Sequence, residues 1–138
     1  MVKKCGVAIV LLLGACTTGA GPMPVGTYVL NEVDESSLPV SLSRGRTILA
    51  DTITVEPTGR YRRAAYFQIT AWDTGETRLG LLEEFGSLRD IGGSWALDRD
   101  FTHGLDEGLG SGAVRLKGDG LERATNFAPN HFTYARLR

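Results

Sequence analysis

The serine in Gly108-Leu109-Gly110-Ser111-Gly112 and the two histidines, His103 and His131, are the residues that could carry nucleophilic catalysis. A nucleophile elbow needs a glycine two residues before its serine, so that a sharp turn can expose the hydroxyl. Leu109 stands there, and Ser111 reads as a loop serine. Around His103, the run "DRDFTHGLDEG" supplies Asp98, Asp100, Asp106 and Glu107, the ligand types of a calcium or transition-metal loop. An EF-hand counted from Asp98 would need glycine sixth and glutamate twelfth, where His103 and Leu109 stand. One histidine is too few nitrogen or sulfur ligands for zinc, so the run reads as a solvated acidic loop and no metal site is assigned. Glu83 and Glu84 are adjacent and would face opposite sides of a strand, a poor arrangement for an acid/base pair. In "RYRR", Arg60, Arg62 and Arg63 could meet phosphates or lipid headgroups. On a strand Arg60 and Arg62 share one face, with Tyr61 and Arg63 on the other, and solvated strand cations are the commoner explanation. No coherent acid/base or nucleophile set emerges, and the expectation is a protein that is not an enzyme and has no catalytic residue.

The 138 residues fit one domain, with 22% charged and 42% hydrophobic residues, ordinary globular values. Formal net charge is −1, and nucleic acid is a poor candidate partner without a basic field. Eighteen glycines, scattered singly and in pairs, suit a chain of many turns.

The elements that must position these residues read as strands. "GTYVLNEV" is β-branched and aromatic and is followed by the turn cluster "DESSLP". In "RTILADTITV", Leu49, Asp51, Ile53 and Val55 alternate with Ile48, Ala50, Thr52 and Thr54. "EPTG" is a turn, and "RYRRAAYFQITAW" returns as a long antiparallel partner that ends at the hairpin signal "DTGE". "LGLLEEFGSL", residues 79–88, fits either a helical face or a bent strand, and its two glycines favour the strand. "GGSWALDRD" reads as turn then strand, "GAVRLKGDGLERA" as a hairpin turning at Gly118-Asp119-Gly120, and "NHFTYARLR" as a closing strand with Phe132 and Tyr134 on one face. About seven to nine short strands without a long helix predict an all-β fold, a single antiparallel meander barrel, with a β-sandwich as the alternative. The aromatics Tyr28, Tyr66, Phe67, Trp72, Trp95, Phe132 and Tyr134 are candidates to fill that barrel or to line a ligand cavity within it.

The first sixteen residues read "MVKKCGVAIVLLLGAC". Lys3 and Lys4 precede an apolar run too short to span a bilayer, the grammar of a signal peptide. Its ending, Leu13-Gly14-Ala15-Cys16, resembles the lipobox of bacterial lipoproteins. The resemblance implies cleavage after residue 15 and acyl lipid on Cys16 as the only prosthetic group, with no other cofactor. Cys5 would leave with the signal and Cys16 would be blocked, so the mature domain would hold no free thiol. A Cys5–Cys16 disulfide would require the signal to be retained. Residues 16–25 then form the lipidated cysteine and a tether, and residues 26–138 the domain. Thr17, where an aspartate tends to hold such proteins at the inner membrane, points to the outer membrane, facing the periplasm.

The domain itself resembles small bacterial lipoproteins with a lipocalin-like barrel. Gly26, Tyr28 and Leu30, then Leu38 and Pro39, match their opening strand and Leu-Pro element. Gly93-Ser94-Trp95-Ala96-Leu97 matches a recurring strand start, and Tyr134-Ala135-Arg136 the final strand. Gly104 to Gly112 departs from the pattern in being unusually loop-like. The anchor, the strand pattern and the supply of aromatics together set the expectation of a membrane-anchored, non-catalytic envelope lipoprotein that binds a small apolar ligand or lipid. The alternative is a protein-interaction module, an inhibitor or assembly partner of an envelope protein.

Overall fold

The computed structural model describes residues 21–43, 45–104, 111–126 and 131–138. The signal segment, the lipobox with Cys16, the tether as far as Ala20, and Asp106, Glu107 and Leu109 of the acidic loop lie outside the described residues.

The described chain is all β. Its strands are β1 (Gly26–Val33), β2 (Ser36–Ser37), β3 (Val40–Ser43), β4 (Arg46–Val55), β5 (Arg60–Thr70), β6 (Thr77–Asp90), β7 (Trp95–Gly104), β8 (Ala113–Lys117), β9 (Gly120–Ala124) and β10 (His131–Arg136). From β4 to β10 each strand pairs antiparallel with the next, β10 pairs with β1, and β1 pairs with β4, which closes an eight-stranded barrel. The short β2 and β3 are additional, laid on β1 and β4. The expected barrel is therefore the architecture, and the sandwich alternative is not.

Turn chemistry sets the hairpins. Gly59 has φ +85° and donates its N–H to the Glu56 carbonyl at 3.0 Å, closing the β4–β5 turn. The "LGLLEEFGSL" segment lies inside β6. Gly86 has a packing reason there: a Cβ at this position would fall 2.8 Å from Tyr61 Cε1 and 2.1 Å from the Asp98 carbonyl oxygen. Its missing side chain lets Tyr61 lie against the sheet from inside.

Bulges correct the expected face of β4. The register slips between Ile48 and Ala50, so Ile48 joins Asp51, Ile53 and Val55 on the buried face, and Leu49 does not. A slip between Leu30 and Glu32 likewise turns both Leu30 and Val33 inward.

The core is the barrel interior. Tyr28, Leu30, Ile48, Ile53, Phe67, Leu82, Leu121, Phe132 and Tyr134 are among its buried apolar side chains. Each contributes about 1.5–3 kcal/mol on leaving water. The barrel has two distinct ends. One carries the β4–β5 turn and the start of β1, where Gly26 pairs with Val55. The other carries the turn between β5 and β6, which holds Trp72.

Candidate functional site

Charged residues interrupt the inward faces of four strands. Asp51 on β4, Arg63 on β5, Glu84 on β6 and Arg123 on β9 are all buried, two cations and two carboxylates inside one barrel. An unpaired buried charge costs several kcal/mol, so their mutual geometry decides whether the barrel is stable. Arg63 grips Asp51 with Nε at 2.9 Å from Oδ2 and 3.1 Å from Oδ1, and with Nη2 at 2.9 Å from Oδ2. The Tyr134 hydroxyl donates to Asp51 Oδ2 at 2.8 Å and accepts from Arg123 Nε at 3.0 Å. Arg123 Nη1 donates to the Ser111 carbonyl at 3.2 Å, and its guanidinium lies 4.0 Å from the centre of the Phe132 ring. On the other side of Arg63, Glu84 Oε1 accepts the Tyr61 hydroxyl at 2.7 Å, with Oε2 3.9 Å from Arg63 Nη1.

Burial raises the pKa of both tyrosines. For Tyr61 the Glu84 carboxylate pushes the same way, while Ser111 and Arg63 oppose it. For Tyr134 the Asp51 charge adds to burial, against Arg123 and Arg63. Both hydroxyls are therefore held protonated, as donors that satisfy carboxylates rather than as bases. Inside the barrel, Arg123 Nη2 has no hydrogen-bond acceptor and lies 3.7 Å from Asp51 Oδ2, already engaged by Arg63 and Tyr134.

The residues singled out from the sequence separate. Ser111 borders the interior cluster, whereas His103 sits on β7 opposite Glu83, and His131 on β10 bonds Glu122. No serine–histidine pair is assembled among them. Asp98 is bonded by Arg89 Nε at 2.7 Å, which lowers its pKa, and Asp100 is bonded by Arg60 at 2.7 Å. Of the "RYRR" cations, Arg60 and Arg62 are exposed as expected; Arg63 is not a solvated cation but the centre of the buried network. Glu83 and Glu84 do face opposite sides, Glu83 toward Arg62 at 2.9 Å and Glu84 into the barrel.

The aromatics divide as well. Tyr28, Phe67 and Phe132 have no exposed surface and Tyr134 has almost none. A ligand-sized void would leave accessible surface on the side chains around it, so these four fill the interior rather than line a hollow. Trp95 is partly buried and packs against the core. Tyr66 and Trp72 correct the cavity expectation outright: Tyr66 alternates with the inward Ala65 and Phe67 on β5, and Trp72 sits in the exposed hairpin, 97% accessible.

The outer wall carries its own features. Phe85 and Phe101 stack at 5.9 Å between ring centres, and Tyr66 pairs across strands with Leu81. Arg60–Asp100, Arg62–Glu83 and Arg89–Asp98 neutralise one another around them. On the opposite wall, Glu122 is buried beneath Arg115 and His131. The His131 hydrogen bond, then that of Arg115, holds its pKa down to about 2. A groove of about 380 Å³ lies beside it, between the Gly92–Ser94 turn and Ala113, Arg115 and Ala124.

Sequence reasoning missed Asp51, Glu84 and Arg123, yet each carries a readable signal. Asp51 shares an alternating face with Ile53 and Val55, Glu84 with Leu82, and Arg123 with Leu121. A charge in an otherwise apolar alternation is a candidate for burial with a partner.

No family model matches the chain, and neither a curated protein nor a solved structure matches it. What the fold and its interior define is a class of architecture alone: a closed antiparallel β-barrel with a buried, paired charge network.

Proposed function

We propose that this chain is a lipid-anchored, non-catalytic envelope lipoprotein, held at the outer membrane and facing the periplasm, whose barrel is a protein-interaction module. The observation that carries the interaction reading is a contrast. Paired charges and aromatics without accessible surface occupy the interior, while Tyr66, Leu79 and Phe101 are exposed on the wall formed by β5, β6 and β7. Phe101 is 56% accessible and Leu79 72%. Exposed apolar groups with a polar rim have the composition of an interface centre. Because Arg60, Arg62 and Arg89 already pair with Asp100, Glu83 and Asp98, the partner that fits is a protein with a largely apolar face. The interior supports this choice over a carrier of small apolar ligands, since a carrier needs an apolar cavity of a few hundred Å³.

Native mass spectrometry of the lipidated protein, extracted in mild detergent, tests the proposal. The expected spectrum contains a stoichiometric complex with a second polypeptide, lost in Phe101→Asp and Tyr66→Asp variants that remain folded. A stoichiometric small molecule retained by the isolated chain would overturn the interaction reading in favour of a carrier. Metabolic labelling with palmitate tests the anchor separately: Cys16→Ser should abolish it, and unchanged labelling would refute lipidation at that residue.

A further inference from the structure

We infer that the end of the barrel bearing the β4–β5 turn rests on the phospholipid surface, with the Trp72 hairpin directed away from it; this rests on the lipid anchor at Cys16.

The chain leading into β1 is fastened to that end. Pro24 is buried, and the Met23 side chain packs against the core, close to where a Cβ on Gly59 would lie. The Val25 carbonyl accepts from Arg136 Nη2 at 3.1 Å and from the Tyr28 hydroxyl at 3.4 Å. Seven links separate Cys16 from Met23, the first fastened residue, and fully extended they reach at most about 25 Å. The eleven residues of β5 run from that end to the other. At about 3.3 Å per residue and an ordinary barrel tilt, they carry the Trp72 hairpin about 28 Å further along the axis. The tether is too short to bring that hairpin down beside its own anchor.

The surface around the tether exit suits a bilayer. Exposed Ile91 projects from the β6–β7 turn, Leu116 from the end of β8, and Leu137 from beyond β10. Lys117 and Arg136 are exposed cations there, Arg138 is matched by Asp119 at 2.6 Å, and Glu56 and Asp90 are exposed carboxylates at the same end. Apolar side chains interleaved with charged ones fit the boundary between headgroups and acyl chains, and Lys117, next to Leu116, is placed to meet a headgroup phosphate.

Depth-dependent quenching tests this in the lipidated, full-length protein. Acylation occupies Cys16, so Ile91→Cys, Leu137→Cys and Leu79→Cys each supply one thiol for a fluorophore. In vesicles of phosphatidylcholine and phosphatidylglycerol carrying brominated chains, probes at 91 and 137 should be quenched about twofold more than the probe at 79. A Lys117→Glu variant should narrow that difference. Equal quenching at all three sites, or stronger quenching at 79, would overturn the orientation while leaving the anchor intact. Failure of Cys16 to acquire lipid would overturn both, and the mass of the purified protein reports it independently.

Discussion

Arg63 Nη2 lies 2.9 Å from Asp51 Oδ2, and neither side chain has any surface in contact with solvent. The pair joins neighbouring strands β4 and β5, and Tyr134 and Arg123 extend it to β10 and β9. A closed barrel needs its strands held at one stagger, and a bidentate ion pair has a directional geometry that apolar contacts lack. The network thus binds distant parts of the chain to one register.

Removing one member should be costly. Asp51→Ala leaves Arg63 and Arg123 buried without their shared carboxylate, and about 3–5 kcal/mol of stability should be lost. Urea denaturation of the variant against the parent measures it. A loss under 1 kcal/mol would mean that water reaches the network.

Gly86→Ala should destabilise by about 1–3 kcal/mol or more through overpacking. Trimming Tyr61 to alanine in the same chain should not restore stability, because the Asp98 carbonyl still occupies the space. Thermal unfolding of the single and double variants separates the two contacts.

Acid should act through Glu122. Its folded pKa, about 2, lies below the ordinary value of 4.5, so its contribution is complete above pH 4.5 and disappears as pH falls through 2. The urea midpoint of the parent should drop across that window, and Glu122→Gln should show a shallower drop. His131→Ala, which removes the first of the two hydrogen bonds, should move the loss to higher pH.

The hairpins were the legible part of this molecule. "EPTG" and "GDG" announce turns through glycines at positive φ, Gly59 and Gly118, and alternation places Phe132 and Tyr134 on one inward face. The bulges were not legible, because a slip such as that between Ile48 and Ala50 depends on the partner strand rather than on local preference. The buried network was half visible. The separation of Arg63 from Arg62 follows from strand period, but its pairing with Asp51 depends on the β4–β5 register, which sets Asp51 opposite Ala65, two residues from Arg63. Tyr66 and Phe67 show the same limit, since aromatic type alone does not say which neighbour points inside.

Interior and exterior should be separable by mutation. Phe101→Asp sits on an exposed face, and its effect on stability should stay within about 0.5–1 kcal/mol. Its effect on partner binding should be far larger, about tenfold or more, as expected for an aromatic anchor. Denaturation and binding titrations on one preparation would compare the two.

Photo-crosslinking in intact cells tests most directly whether the protein works through its outer wall. A benzophenone side chain would replace Phe101, Leu79 or, as a control on the opposite wall, the exposed Ala135 of β10. The expected result is one adduct of discrete mass, shared by positions 101 and 79 and absent from 135. Adducts from 135 alone, or none from 101 and 79, would contradict an interaction module on β5, β6 and β7.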